Sequence, residues 1–275
     1  MLMSAITALA AEQDFNAQLY QGAETGNLKE AKAALRLGAD INIMNDRTHG
    51  LTPLMAAAGS GRVEVVKFLL NKGADVNKKS KAGETALMKA AVGGNTDVVN
   101  LLLKNGADAN AKLTNGGYTV LMCAAGGGYT EIVKLLLTKG ADVNARDAFH
   151  STALLEAALG GHTEVADLLL KKGAQIDMRS IYNSSPLTAA SAKGHVDVVK
   201  LLLNKGADVN LKGINYGETA LMMAAAGGHK EVVNLLLDKK ADVNITRNDG
   251  STALALAKKN GKKEVADILE KAGGK

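Results

Sequence analysis

The amino-acid sequence predicts an all-α repeat solenoid, a stack of eight helix-turn-helix units with projecting turn or hairpin tips. Three observations carry that expectation. The triplet Gly-Ala-Asp recurs from Gly38, Gly73, Gly106, Gly140 and Gly206, with Gly-Ala-Gln from Gly173, at intervals of 33 to 35 residues. A second marker, Thr-x-Leu, keeps the same step at Thr52, Thr85, Thr119, Thr152, Thr219 and Thr252, with Ser185-Pro186-Leu187 standing in once. Thirty glycines against two prolines point to a turn used over and over. Self-similarity at a fixed period marks a repeat architecture, in which one unit cannot bury its apolar face alone and needs a neighbour.

Each element of the unit has a physical reason. Thr or Ser caps the first helix by accepting a backbone N–H, and the next residue is Pro53, Pro186 or usually Ala, all suited to the first helical position. Small pairs such as Ala90-Ala91 and Ala124-Ala125 let helices approach closely, and a glycine (Gly61, Gly94, Gly128, Gly161, Gly194, Gly228, Gly261) ends the helix. The second helix opens on an acidic residue such as Glu64 or Asp97 and usually closes on lysine such as Lys72 or Lys104, matching its dipole. Its core face follows Val98, Val99, Leu101, Leu102 and Leu103. The glycine of Gly-Ala-Asp then supplies the left-handed residue that stops the helix. Lys240 breaks this rule, standing where seven other units have glycine. A turn follows, with glycine two residues before Thr (Gly50, Gly83, Gly117, Gly217, Gly250) or its substitutes His150 and Asn183.

The whole-chain totals narrow the function classes. An apolar fraction of 47% and a charged fraction of 22% suit a folded soluble chain, and no stretch reaches the ~18 apolar residues that span a bilayer. The net charge of +5 is spread along the repeats, with extra lysines between Lys258 and Lys275. A nucleic-acid footprint would want a concentrated stripe, so nucleic-acid or other polyanion binding through these distributed lysines is the alternative reading only. Residues 1–13 form a separate lead-in. Met1 to Ala11 is uncharged and ends on Ala8-Leu9-Ala10-Ala11, which fits either a signal-peptide remnant lacking its basic start or the approach to the first helix. A periplasmic or secreted location and a cytoplasmic one both stay open.

Here the chain resembles the ankyrin repeat family. Thr52-Pro53-Leu54-Met55-Ala56-Ala57 is similar to that family's Thr-Pro-Leu-His-x-Ala motif, repeated in phase over residues 14–275. The resemblance implies a single array: an end repeat over 14–44, six internal repeats over 45–247 and an end repeat over 248–275. Polar residues suit the ends: Glu30 falls where the second unit has Val65, and Lys258 and Glu270 where the seventh has Ala225 and Leu237. That pattern suggests a complete stack and a monomer. The family's histidine is replaced by Met55, Met88, Met122, Leu155, Thr188, Met222 and Ala255. Apolar packing is therefore expected where the family hydrogen-bonds neighbouring repeats.

No catalytic or cofactor motif is found: there is no P-loop, His-Glu-x-x-His, Gly-x-Ser-x-Gly or Cys-x-x-Cys. Cys123 is alone and has no histidine one turn away, so it reads as a small packed thiol. His162, His195 and His229 recur at one repeat position. Packed helices stand ~8–10 Å apart, too far for one zinc ion to bridge, so they read as part of the turn before the second helix. No metal, no cofactor and no enzyme is expected.

The expected function is therefore a non-enzymatic scaffold for an unidentified protein partner. By family resemblance, its surface is the turn tips and the first-helix face. Just before the turn glycine come His49, Ala82, Gly116, Phe149, Tyr182, Tyr216 and Asp249, so three consecutive tips are aromatic, and Tyr118 extends the series. With eight aromatic residues in the chain, three in one register is a concentration, and rigid aromatic rims make good anchors. Ile181 and Ile214 add apolar surface beside them. On the helix side, Val92-Gly93 and Leu159-Gly160 belong to a floor of small residues that either admits a bulky partner or serves helix packing. Lys89 and Glu156, at the position of Cys123, are either further groove contacts or local departures. The expected partner-binding set is Phe149, Tyr182, Tyr216, Tyr118, His49, Ile181, Ile214, Leu159 and Val92.

Overall fold

The computed structural model describes residues 15–182 and 184–275, so the lead-in over residues 1–13 and the tip residue Asn183 lie outside the described residues. Among those described, sixteen α-helices form eight pairs, a short 3-10 turn covers Asp46–Thr48 and no strand is present; the fold is an all-α repeat solenoid. The pairs are α1 (15–25) with α2 (Leu28–Arg36), α3 (Pro53–Gly59) with α4 (Val63–Asn71), and α5 (Ala86–Val92) with α6 (Thr96–Lys104). Then follow α7 (Val120–Gly126) with α8 (Thr130–Thr138), α9 (Ala153–Gly160) with α10 (Thr163–Lys171), and α11 (Pro186–Lys193) with α12 (Val196–Asn204). The last are α13 (Ala220–Gly227) with α14 (Lys230–Asp238) and α15 (Ala253–Lys259) with α16 (Lys263–Lys271).

The chain divides into two compact units. The first reaches to Ala124 and includes Glu131–Ala141; the second comprises Ala125–Thr130 and Asp142–Lys275. In the first unit α3 packs on α5, and α2 and α6 pack on α4. In the second, α9, α11, α13 and α15 stack in order, as do α10, α12, α14 and α16. First helices thus meet first helices, and second helices meet second helices.

The local rules read from the residues hold. Thr52, Thr85, Thr152, Ser185, Thr219 and Thr252 lie in extended backbone, and each side chain accepts from the amide three residues on. The alanine pairs Ala90-Ala91, Ala124-Ala125, Ala157-Ala158 and Ala224-Ala225 are fully buried, as are Val99, Leu102, Val199 and Leu202. Leu101, expected on the core face, is only half-buried. The helix-stopping glycines Gly38, Gly73, Gly106, Gly140, Gly173, Gly206 and Gly273 all have positive φ, and Lys240 adopts the same conformation at φ 67°. His150, in place of a turn glycine, does so at 58°, and His49 at 57°.

Met55, Met88, Met122, Leu155 and Met222 are at most 3% exposed, so apolar packing occupies the family's histidine position in five repeats, while Thr188 there accepts from the N–H of its own cap residue, Ser185, and Ala255 is exposed. Hydrogen bonding between repeats is nevertheless retained, through two other residues. Asparagine at the end of Gly-Ala-Asp-Val-Asn reaches the next repeat. Asn77 Oδ1 accepts from Asp108 N (2.9 Å) while its Nδ2 donates to the Gly106 carbonyl (3.0 Å), and Asn144 does the same with Gln175 N and Gly173 O. The residue after the turn glycine reaches back to the preceding repeat. His162, His195 and His229 donate from Nε2 to the carbonyls of Gly126, Leu159 and Ala192 at 2.9–3.0 Å, and Asn95 Nδ2 donates to those of Ala58 and Gly59.

Candidate functional site

Each tip is a tight turn, and at several of them a small polar residue fixes its shape, while Leu113 and Gly213 close theirs by backbone bonds to Tyr118 and Glu218. In the first unit, Ser80 Oγ accepts from Glu84 N, and Ser80 N donates to the Glu84 carbonyl. In the second, the carboxylate of Asp147, 8% exposed, accepts from Phe149 N (2.9 Å) and Ser151 N (2.7 Å). At the last tip Asp249 accepts from Ser251 N, and that bond holds its carboxyl below the ordinary aspartate range, helped by Arg247. Backbone bonds then tie tip to tip: Lys81 N to the His49 carbonyl and Thr114 N to that of Ala82 in the first unit, Ile181 N to that of Phe149 and Asn248 N to that of Tyr216 in the second. Asn215 Nδ2 also donates to the Ile181 carbonyl (3.0 Å). A tip fastened on both sides loses little freedom when something docks on it.

The structure sorts the expected site residues. Tyr182, Ile214 and Tyr216 are 58–66% exposed, Phe149 46% and Ile181 39%, all on consecutive tips of the second unit. The rings of Phe149 and Tyr182 lie 5.5 Å apart at 31°, so this pair stacks as well as facing solvent. Leu159 is exposed at the end of α9 in the same unit. Val92 and His49 are exposed in the first unit, where His49 sits beside a Lys81–Asp46 ion pair (2.8 Å) that draws the Asp46 carboxyl downward. Tyr118 is half-buried in the first unit, its carbonyl accepting from Leu113 N.

Several helix-side residues have a packing or intra-repeat role. A β-carbon at Gly160 would lie 2.5 Å from the His162 ring, at Gly227 2.5 Å from that of His229, and at Gly93 2.7 Å from Asn95 Nδ2. These glycines make room for the side chains that reach back to the preceding repeat. Lys89 Nζ lies 3.4 Å from Glu84 Oε1, and Glu156 Oε1 accepts from Ser151 Oγ at 2.6 Å, so both link a first helix to its own tip. Cys123 is half-buried.

Sequence reasoning missed three features. Leu37, at the end of α2, is 56% exposed. Lys258 and Glu270, both polar where the preceding repeat is apolar, meet as an ion pair at 2.6 Å. Asp177 replaces asparagine in the inter-repeat ladder: it accepts from Asp208 N (3.2 Å) but, as a carboxylate, has no proton to give the next carbonyl. Burial, with the negative charge of Asp208, pushes its carboxyl upward despite that hydrogen bond. The residue swap was readable in Gly-Ala-Gln-Ile-Asp; the partner 31 residues away was not. Among the described residues, no group of three or more His, Cys, Asp or Glu could hold a metal ion, and no helix is long and apolar enough to cross a membrane.

The repeated helix pair, its capped first helix and its projecting tip define an ankyrin-type repeat array. The family model for ankyrin repeats matches residues 19–112, 78–147, 121–213 and 212–274, and the chain belongs to the ankyrin repeat family. The crystal structure of the human ASB11 ankyrin repeat domain is similar at a TM-score of 0.75 and 32% identity, covering 82% of this chain and 99% of that one. Ankyrin repeat and SAM domain-containing protein 6 of Rattus norvegicus is 43% identical over 65 residues, 24% of this chain and 7% of that protein. Human Arf-GAP with coiled-coil, ANK repeat and PH domain-containing protein 2 is 38% identical over 66 residues, 24% of this chain and 8% of that protein. The matched stretch thus spans under a tenth of these relatives' length. Ankyrin repeats generally mediate protein–protein interaction, and the fold is typically a non-enzymatic binding scaffold.

Proposed function

We propose that this chain is a non-enzymatic scaffold that binds a protein partner along the tip edge of its second unit. Phe149, Tyr182 and Tyr216 are the anchors, with Ile181, Ile214 and Leu159 alongside. One observation carries the reading. Of the eight large apolar side chains exposed among the described residues, five lie on three consecutive tips. Scattered apolar residues on a surface need no explanation, but five on adjoining tips form a patch, and such patches mark interaction sites. Each aromatic ring can bury ~150–250 Å² on docking with few rotamers to lose. The turn bonds of Asp147 and the tip-to-tip backbone bonds support the same reading, because they hold the anchors in place beforehand.

Affinity capture from extract of the source cells, with wild type and F149A/Y182A/Y216A as parallel baits, tests it. The partner held by wild type should be lost from the variant, whose unfolding free energy should stay within about 1 kcal/mol because these side chains are largely solvent-exposed. Undiminished capture by the triple variant would sink this choice of surface.

A further inference from the structure

We infer that the segment this edge receives is an acidic peptide carrying apolar side chains. This rests on the tip edge being the docking surface. Each aromatic or aliphatic tip residue is preceded in its own turn by a cation: Arg146 three residues before Phe149, Arg179 three before Tyr182, and Lys212 two before Ile214. Arg146 and Lys212 are exposed. Arg179 spans two tips, donating from Nη1 to the Lys212 carbonyl at 2.7 Å. A β-carbon at Gly217 would lie 3.2 Å from Lys212 Cε, so the Lys212 side chain lies across the tip that carries Tyr216.

The acidic groups of the same turns are engaged internally. Asp147 is buried on the amides of Phe149 and Ser151, Asp177 accepts from Asp208 N, and Glu218 lies 3.7 Å from Arg247 Nη1. What faces outward is therefore an apolar strip beside two exposed cations, Arg146 and Lys212, that form no ion pair among the described residues. A partner complementary to it carries carboxylates beside its apolar residues, and the charges set encounter rate and selectivity while the rings supply contact area. Along this edge the cations are interleaved with apolar groups, which suits a mixed peptide better than a uniformly charged polyanion.

Selection of a displayed random-peptide library on the full chain tests this. Peptides of about twelve residues suffice, since two repeat steps of ~10 Å need only ~6 residues at ~3.3 Å each. Enriched peptides should combine Asp or Glu with aliphatic or aromatic residues. A purified one should bind R146E/K212E about tenfold or more weakly, and should weaken with added salt. R146Q/K212Q, with a melting temperature matching wild type, should give an intermediate loss and guards against misfolding of the reversal variant. Enrichment of neutral or basic peptides, indifference of acidic ones to R146E/K212E, or no enrichment would each overturn the inference. Neutral peptides that are lost on F149A/Y182A/Y216A would leave the tip edge standing and remove only its acidic preference. Acidic peptides held equally by that triple variant would remove both. Displacement by a single-stranded oligonucleotide at matched concentration would make the surface a general polyanion site and overturn the peptide assignment.

Discussion

The two units are built on the same framework and differ in how strictly they keep its rules. In the first, the ladder positions Asn42, Asn77 and Asn110 are all asparagine, every helix-stopping residue is glycine, and the tips carry His49, Ala82 and Gly116. In the second, Asp177 interrupts the ladder, Lys240 and His150 occupy left-handed positions, and the tips carry Phe149, Tyr182 and Tyr216. Most departures from local preference thus fall in the unit that presents the aromatic edge, with His49 at φ 57° the left-handed exception in the first. Proteins tend to break local rules where function asks for it and to offset the cost elsewhere. Here the offset lies in bonds between repeats, which the second unit keeps through His162, His195 and His229.

That contrast can be tested from its largest consequence downward. Removing the three rings should cost at least about tenfold in partner affinity, as loss of clustered aromatic anchors does, whereas His49→Ala in the first unit should leave affinity within about twofold. Equilibrium binding with the captured partner separates the two. Asn144→Ala deletes both bonds of one ladder rung and should destabilise the chain by about 2 kcal/mol in denaturant unfolding, at about 1 kcal/mol per bond. Lys240→Gly should do the reverse, stabilising by about 1 kcal/mol, because a side chain held in the left-handed region costs ~1–2 kcal/mol and glycine returns part of that as chain entropy. An unchanged or lowered melting temperature would count against it.

Asp177→Asn should also stabilise, by up to about 1 kcal/mol at neutral pH, by restoring a donor to the rung. Its pH dependence has a definite sign. A carboxyl raised in the folded state prefers its protonated form there, so its unfavourable contribution is complete above the folded pKa. It fades as pH falls through that value toward the ordinary aspartate range. The melting-temperature gap between Asp177→Asn and wild type should therefore be widest at neutral pH and shrink toward acid; a gap independent of pH would mean burial of Asp177 is not its cause. Smallest of all, Asp46→Asn should leave the melting temperature unchanged, since the Lys81–Asp46 pair is exposed to solvent on both sides.

Features that act within a few residues of their cause could be read from the chain itself. The caps at Thr52 and Ser185, the left-handed strain at Lys240 and the aromatic register of the tips all follow from neighbours in sequence. Contacts that jump a whole repeat could not. Asn77 is plain in the motif, yet its partners are 29 and 31 residues on, and nothing local says that both ends of its amide are used. The same distance hid the reason for Gly160, which looks like an open groove floor until the His162 ring is found lying over it to reach Gly126. Lys89 and Glu156 stayed open for a related reason: nothing local says that an ionisable residue on a first helix meets its own tip, five residues back.

The ladders end on main-chain groups, with a glycine needed beneath the histidine rings. His195 asks of the repeat before it a carbonyl and a glycine, and Asn144 asks of the repeat after it one amide and one carbonyl. Joints made to the main chain do not constrain which residues sit at the tips. Tip residues are therefore free to vary from one repeat to the next without altering these main-chain joints.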